Sequence, residues 1–241
     1  MKIFVTTIII GLSVLFFSFS FNHNANNKVS LGKMLFNEKL LSKDSSISCA
    51  SCHNPNLAFA DTLPFSIGIH GKLTKRNTPS VLNMKNRPYY FWDGRAGSLE
   101  EQSLMPIMNP DEMGLPIDEA ISRLNQSPFY KKQFQLIFKS EANKKNLAEA
   151  FAAFENTLET SNSKFDDWGN NKIKLSKSEE RGRQIFLSDK AKCFDCHLQV
   201  DFTNDDFKNI GLFDGKLLND SGRYKITGDK EDIGRFKTPG L

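Results

Sequence analysis

Residues 48–53 read "SCASCH", and the same Cys-x-x-Cys-His pattern returns as "CFDCH" at residues 193–197. All the thiols of the 241-residue chain lie in these two copies: Cys49, Cys52, Cys193 and Cys196. Two thiols at this spacing can bind zinc, exchange disulfides or attach haem covalently. The residues around each pair decide between these three chemistries.

Covalent haem attachment accounts for every residue of the pattern. Zinc sites made of two such pairs usually separate them by about 15–20 residues, whereas these pairs lie at opposite ends of the chain. A redox Cys-x-x-Cys needs no histidine after it. In a c-type site, both thiols bind the haem vinyl groups and the adjacent histidine becomes the proximal iron ligand. The sequence therefore predicts two covalently bound haem c groups, with His53 and His197 as proximal ligands.

The N-terminal segment 1–24 is predicted to be a signal peptide or an N-terminal anchor. Residues 3–21 are almost wholly apolar and follow the single charge of Lys2, which is typical of a secretory leader. The length of this stretch is near the lower limit for a membrane span, about 17 residues. Attachment of haem c takes place outside the cytoplasm, so we expect a periplasmic protein whose leader is either cleaved or retained as an inner-membrane anchor.

Composition and charge say little about the partners of the protein, whereas the sequence patterns say more about its fold. The net charge of +4 is modest, and no basic stripe suggests nucleic acid. Helical signals dominate, with capping boxes at Ser98–Glu101 and Ser176–Glu179. An amphipathic stripe is formed by Leu147, Phe151, Phe154 and Leu158. We expect it to be ordinary core or a wall against haem.

We therefore expect a mainly α fold with two cytochrome c-like helical domains, each carrying one covalently bound haem c. The polar stretch 162–174 is predicted to be the linker between them, and no convincing strands are present. The first domain is assigned to residues 30–161 and the second to residues 175–241.

The remaining iron ligands can be counted. Of the four histidines, two are proximal and His23 lies beside the leader, which leaves His70 between Gly68 and Gly71. We expect His70 to be the distal ligand of the first haem, although a lone loop histidine is more often a surface or hydrogen-bonded residue. No methionine follows Met113, so none is available to the second haem from its own half.

Three stretches carry a resemblance to a known family: "LGKMLFNEKLLSKDSSISCASCHNPNLAFAD", "KRNTPSVLNMKNRPYYFWDGRAGSLEEQSLMPIMNPDEMG" and "RGRQIFLSDKAKCFDCH". They resemble the bacterial dihaem cytochrome c peroxidases, a family that includes the methylamine-utilisation dihaem enzymes. The resemblance implies a peroxidatic first haem and an electron-transferring second haem. It also implies reduction of hydrogen peroxide to water, with electrons from a small cytochrome c or a cupredoxin.

Four residues gain a role from this resemblance. His70 is similar to the labile distal ligand, Trp92 to the tryptophan between the haems, and Glu112 to the acid–base carboxylate over the peroxidatic iron. Asn77 is similar to a ligand of an interdomain calcium ion. Read alone, Trp92 could be an aromatic core anchor and Glu112 part of a solvated acidic turn.

The resemblance leaves further alternatives open. Family members continue beyond the segment "GRFKTPGL", where the distal ligand of the second haem and most of the calcium site lie. The chain is therefore expected to be truncated at its C-terminus. A related oxidase acting on a protein or organic substrate, and a dihaem electron carrier without catalysis, are the rival functions. A homodimer also remains open.

Overall fold

The computed structural model describes residues 27–198 and 200–241, and the predicted leader lies outside them. The fold is mainly helical, as expected. Its α-helices are α1 Lys28–Phe36, α2 Cys49–Cys52, α3 Leu99–Met108, α4 Ile117–Gln126, α5 Pro128–Phe138, α6 Lys144–Glu155, α7 Lys164–Gly169, α8 Lys177–Phe186 and α9 Tyr224–Thr227. Its strands are β1 Phe207–Lys208 and β2 Phe236–Lys237, and short 3-10 turns span Lys39–Leu41, Pro55–Leu57, Ile69–Gly71, Cys193–Asp195 and Lys230–Asp232. Among these residues, no helix is both long and apolar enough to cross a bilayer.

The core of the first half is built on the crossing of α1 and α6. Gly32 allows the close approach, because a Cβ atom placed there would lie 1.9 Å from the Ala150 carbonyl oxygen. Beside the crossing, Phe36 and Phe154 pack edge to face with ring centroids 5.3 Å apart. Close packing of this kind fixes the relative position of two helices, since neither can shift without a collision. The crossing therefore forms a rigid wall behind α2.

The predicted stripe lies on α6. Leu147, Phe151 and Phe154 are buried, so they form core as expected. The helix ends at Glu155, and Leu158 packs against the same core from the following segment. The apolar stripe thus extends beyond the end of α6, as far as Leu158.

Both predicted capping residues begin helices, but the two caps differ. Ser176 and Glu179 form the reciprocal box at the start of α8. At α3, Ser98 accepts from the Glu101 N–H at 3.1 Å, whereas the Glu101 carboxylate accepts from Gly97 N–H instead of Ser98 N–H. The expected box is therefore only half formed at α3, because the chain before Ser98 presents a nearer donor.

The predicted linker 162–174 contains a helix, α7, and its role as a linker stays a prediction. A capping box between Ser163 and Asp166 begins that helix. Phe165 then packs edge to face on Phe202, with centroids 5.5 Å apart, so the segment contacts the region of the second Cys-x-x-Cys-His. The expectation of no strands is corrected, because β1 and β2 form a short antiparallel pair, Phe207 opposite Lys237.

Candidate active site

A cavity of about 890 Å³ lies beside the first Cys-x-x-Cys-His segment. Cys49, Cys52 and His53 line it together with Trp92 and Glu112. Its volume is within the range of about 300–1,000 Å³ that ligand and cofactor sites occupy. The structure thus brings the first attachment motif and two of the predicted catalytic residues to one cavity.

His53 is oriented for metal binding. Its Nδ1 lies 3.1 Å from the carbonyl oxygen of Phe59, and a carbonyl can only accept, so Nδ1 carries the proton. The lone pair of Nε2 is then available to an iron, in the arrangement usual for histidine ligands. Burial lowers the pKa of His53, although the hydrogen bond to Phe59 works in the opposite direction. The ring is therefore kept neutral, as a ligand must be.

The two thiols of this motif are free and half-buried. Burial raises the pKa of both Cys49 and Cys52. They lie on α2 three residues apart, nearly one full turn, so both side chains lie on the same face of the helix and line the cavity. Free thiols and a neutral histidine with an available Nε2 on one cavity fit a covalently bound haem.

Glu112 lies in the turn after α3 and also lines the cavity. Asn109 Nδ2 donates to its Oε1 at 2.9 Å. Burial raises the pKa of Glu112, and the charge of Arg95 with the Asn109 hydrogen bond only partly offsets that effect. A half-buried carboxyl with a raised pKa is suited to accept and return a proton. The reading of Glu112 as a merely solvated turn residue therefore has less support.

Trp92 lies at a contact between the two halves. Its Nε1 donates to the carbonyl oxygen of Asn77 at 2.8 Å, and its own carbonyl accepts from Lys237 N–H at 2.7 Å. Lys237 belongs to β2 of the second half. Asn77 in addition donates through Nδ2 to the Leu63 carbonyl at 3.2 Å. Trp92 is thus placed on the cavity wall that faces the second half.

His70 lies away from this cavity. Its imidazole is 60% exposed, and Nδ1 is 3.5 Å from Asp44 Oδ2. The turn that carries it is nevertheless joined to the Glu112 segment, because Ile69 N–H donates to the Glu112 carbonyl at 2.9 Å. A Cβ atom at Gly68 would lie 2.1 Å from the Asp111 carbonyl oxygen, so only glycine allows this approach. The assignment of His70 as the distal ligand of the first haem stays a prediction.

The second Cys-x-x-Cys-His segment has a different local structure. Cys193 begins a 3-10 turn instead of an α-helix. His197 nevertheless repeats the orientation of His53, with Nδ1 2.8 Å from the carbonyl oxygen of Phe202. A cavity of about 430 Å³ adjoins it. The walls of that cavity are mainly apolar and include Phe165, Leu175, Phe186, Leu187, Phe194 and Phe202.

One group that sequence reasoning missed joins the two halves by ion pairs. Arg76 donates from Nη1 to Asp93 Oδ2 and from Nε to Asp220 Oδ2, each at 2.6 Å. Asp93 is also contacted by Arg95 at 3.0 Å, so it fixes the turn and the interface together. The "KRN" and "WDGR" segments contain these charges, but no spacing rule connects them with Asp220.

Glu155 is a second residue that was missed. It is 5% exposed and lines the larger cavity. The sequence carried a signal for it: Glu155 follows Phe151 by four positions, so a carboxylate falls on the apolar face of α6. A charged residue at a core position of a helix is unusual.

No group of three or more His, Cys, Asp or Glu side chains is arranged to hold a metal ion in the described part of the chain. In a c-type haem site, each motif supplies a single iron ligand, its histidine, so such a group is not required. Calcium would instead be bound mainly by carbonyl and amide oxygens. The assignment of Asn77 to a calcium site therefore stays a prediction.

Comparison with known proteins agrees with this arrangement. The sequence model of the di-haem cytochrome c peroxidase family matches residues 26–174. The chain is 40% identical over 219 residues to the methylamine utilization protein MauG of Methylorubrum extorquens, covering 89% of this chain and 61% of the relative. It is 36% identical to a cytochrome c peroxidase of Escherichia coli, covering 89% and 47% respectively.

A solved structure supports the same relationship. A MauG-like protein associated with microbial copper homeostasis superposes with a TM-score of 0.80 at 30% identity, covering 88% of this chain and 68% of that one. The diheme peroxidase of Burkholderia thailandensis shares the fold, with a TM-score of 0.77 at 24% identity. This is the fold of a c-type dihaem oxidoreductase.

The chain belongs to the di-haem cytochrome c peroxidase family. That membership confirms the predicted family and implies haem c as the cofactor. The chain spans 61%, 47% and 64% of the length of three curated relatives that it matches.

Proposed function

We propose that this protein reduces hydrogen peroxide to water with electrons from a small cytochrome c or cupredoxin. The observation that carries the proposal is Glu112, a half-buried carboxyl with a raised pKa on the cavity that His53 lines. Such a carboxyl suits proton transfer between the two oxygens of a peroxide. Membership of a family with named cytochrome c peroxidases supports this activity.

Haem supplies the redox chemistry when it is bound. The chain's own contribution is to hold it and to move protons. Cys49 and Cys52 would hold the first haem through thioether bonds, and His53 would bind its iron through Nε2. Cys193, Cys196 and His197 would do the same for the second.

Glu112 would act as acid and base in turn. As a carboxylate it accepts a proton from one peroxide oxygen, and it returns that proton to the other oxygen, so that water leaves instead of hydroxide. Asn109 holds Oε1 through its amide, which orients the carboxyl, and the raised pKa favours uptake of the proton. Trp92 would shorten the path for electrons between the two haems, since it contacts both halves.

Several further assignments belong to the same proposal. His70 would be the labile sixth ligand of the first haem; for it to reach that position, its turn must rotate about the glycines that flank it. Asn77 would contribute to an interdomain calcium site. The protein would be periplasmic, with the leader either removed or kept as an anchor, and could act as a homodimer.

The test is peroxide-dependent oxidation of a reduced small cytochrome c by the holoprotein. Glu112→Gln should retain both haems and their spectra but lose turnover by roughly 10²–10⁴-fold. Asp111→Asn is the matched control, because Asp111 adjoins Glu112 and pairs with Lys75 at 3.2 Å. A Glu112→Gln variant within a few-fold of the parent would remove Glu112 from the mechanism.

A second candidate is an oxidase acting on a protein or organic substrate. The 40% identity to a methylamine utilization protein favours it. The peroxidase consumes two electrons from its donor for each peroxide, whereas the oxidase would pass that oxidising power to its substrate. Peroxide consumption without oxidation of the small donor would therefore favour the oxidase. A pure electron carrier would consume no peroxide at all.

A further inference from the structure

Glu155 is a buried carboxyl that the proposed mechanism does not use. It is the last residue of α6, is 5% exposed and lines the cavity that contains Cys49. Its Oε2 has no hydrogen-bond partner among the described residues. Leaving a buried polar atom unpaired destabilises the fold, and a charged group does so most. Such an atom needs an explanation.

The carboxyl cannot escape to solvent by a shift of its helix. α6 is held against α1 at the Gly32–Ala150 contact, where no additional atom fits. Phe154, the preceding residue, is packed on Phe36. Glu155 is thus held facing the cavity by the most tightly packed part of the fold.

The surrounding groups do not neutralise a negative charge at this position. The titratable neighbours that respond to Glu155 are the Cys49 thiol on α2 and the Tyr90 phenol before α3, and burial raises the pKa of each. Within the described residues, no ion pair joins Glu155 to a cation. Burial raises the pKa of Glu155 to about 8. At neutral pH the group is therefore mostly a neutral acid, which can donate one hydrogen bond.

We propose that Glu155 is a positioning residue for the first haem: it donates a hydrogen bond to an acceptor oxygen in the cavity and exchanges its proton as that haem changes charge. The acceptor is a carboxylate oxygen of haem or a water beside it. When an electron from the external donor reaches the first haem, the cavity gains one negative charge. Where Glu155 is ionised, its carboxylate takes up one proton from solvent, which balances that charge. The proposal rests on haem attachment at Cys49 and Cys52.

The experiment is a spectroelectrochemical titration of the first haem in the holoprotein between about pH 6 and about pH 10. Reduction favours the protonated carboxyl, so the midpoint potential of the parent should fall as pH rises around and above the pKa of Glu155. Glu155→Gln should remove that fall. Glu149→Gln should keep it, because Glu149 lies on the same helix but is an accessible carboxylate paired with Lys28 at 2.5 Å. An unchanged pH dependence in Glu155→Gln would overturn the proposal.

A second measurement on the parent protein covers the case in which the variant fails to load haem. Infrared difference spectra between oxidised and reduced protein should contain a carboxylic acid C=O band that shifts in D₂O and remains in Glu112→Gln. Absence of that band would also overturn the proposal. Neither readout depends on turnover, so a failure here is distinct from a failure of the peroxidase assignment.

Discussion

The two Cys-x-x-Cys-His segments share a pentapeptide but differ in nearly everything around it. Among the described residues, every fully buried apolar side chain lies between Leu31 and Phe154, in the half that carries the first segment. In the described residues of the second half, the buried side chains are polar, such as Thr203 and Thr238, which are 7% and 6% exposed. The first segment is thus set against a packed protein core, and the second against a shallow apolar cavity.

This difference fits a division of labour. The larger cavity contains groups that can move protons, Glu112 and Glu155, both with a raised pKa because of burial. The smaller cavity is lined mainly by aromatic and aliphatic side chains. The carboxyl on that lining, Glu179, has its pKa lowered to about 2 by hydrogen bonds from Lys164 and Ser176, so it is a poor proton donor and acceptor near neutral pH. These walls fit the proposal of proton-coupled chemistry at the first site and electron relay at the second.

The largest expected effect comes from removing each pair of thiols. Cys49→Ser/Cys52→Ser and Cys193→Ser/Cys196→Ser should each halve the covalently bound haem, measured by pyridine haemochrome against protein concentration. The second double variant should also lose protease protection across its own half, because little of that half is buried without a cofactor. The first should keep a protected core at α1 and α6. Equal protection of both halves in both variants would contradict the comparison.

A smaller effect is expected from adding a methyl group to the core of the first half. Gly32→Ala places a Cβ 1.9 Å from the Ala150 carbonyl oxygen, so the free energy of unfolding should fall by about 1–3 kcal/mol or more. Gly169→Ala in α7, outside the core of the first half, is the control, since nothing lies within 4 Å of a Cβ there. It should gain up to about 1 kcal/mol. Denaturant unfolding of the holoprotein measures both, and similar losses would refute the contrast.

The ion pairs of Arg76 test the contact between the halves. Arg76→Lys keeps the charge but loses the two-pronged contact with Asp93 and Asp220, so we expect a loss of about 1.5–3 kcal/mol. Burial raises the pKa of Asp220, but hydrogen bonds from Arg76 and Lys225 outweigh it and leave the pKa well below its usual range.

The pH dependence of that contact follows from the sign of the shift. A carboxyl with a lowered folded-state pKa contributes stability above its unfolded pKa, about 3.9, and loses it as pH falls further. The parent should therefore lose more stability than Arg76→Lys below about pH 4, measured by thermal unfolding over a pH series. Lys75→Gln, whose partner Asp111 lies 3.2 Å away on the surface, should leave that dependence unchanged. Parallel curves for the parent and Arg76→Lys would show that the pair does not couple the halves.

Local patterns predicted the parts of this molecule that depend on neighbouring residues. The α6 stripe and the cap at Ser176 need only short spacings, and the structure places them as expected. Arg76 and Asp220 could not be paired in advance, because a contact across most of the chain leaves no periodic signal. Glu155 did leave a periodic signal, four positions after Phe151. Only the structure shows that this carboxyl lines a cavity. The position of His70 beside Asp44, away from the cavity lining, could not be predicted from its spacing to His53.

The smallest effect concerns Trp92, where the two halves meet. Trp92→Phe keeps an aromatic ring but removes the hydrogen bond from Nε1 to the Asn77 carbonyl, so stability should fall by only about 1 kcal/mol. If Trp92 also connects the haems, reoxidation of the second haem after peroxide is added to the half-reduced protein should slow, while both haem spectra stay unchanged. Trp168→Phe is the matched control, because the other tryptophan of the chain packs on Phe165, with centroids 5.1 Å apart, within the second half. Stopped-flow absorbance separates the two roles: a slower rate in Trp92→Phe alone supports the relay, and equal rates in both variants reduce Trp92 to a packing residue.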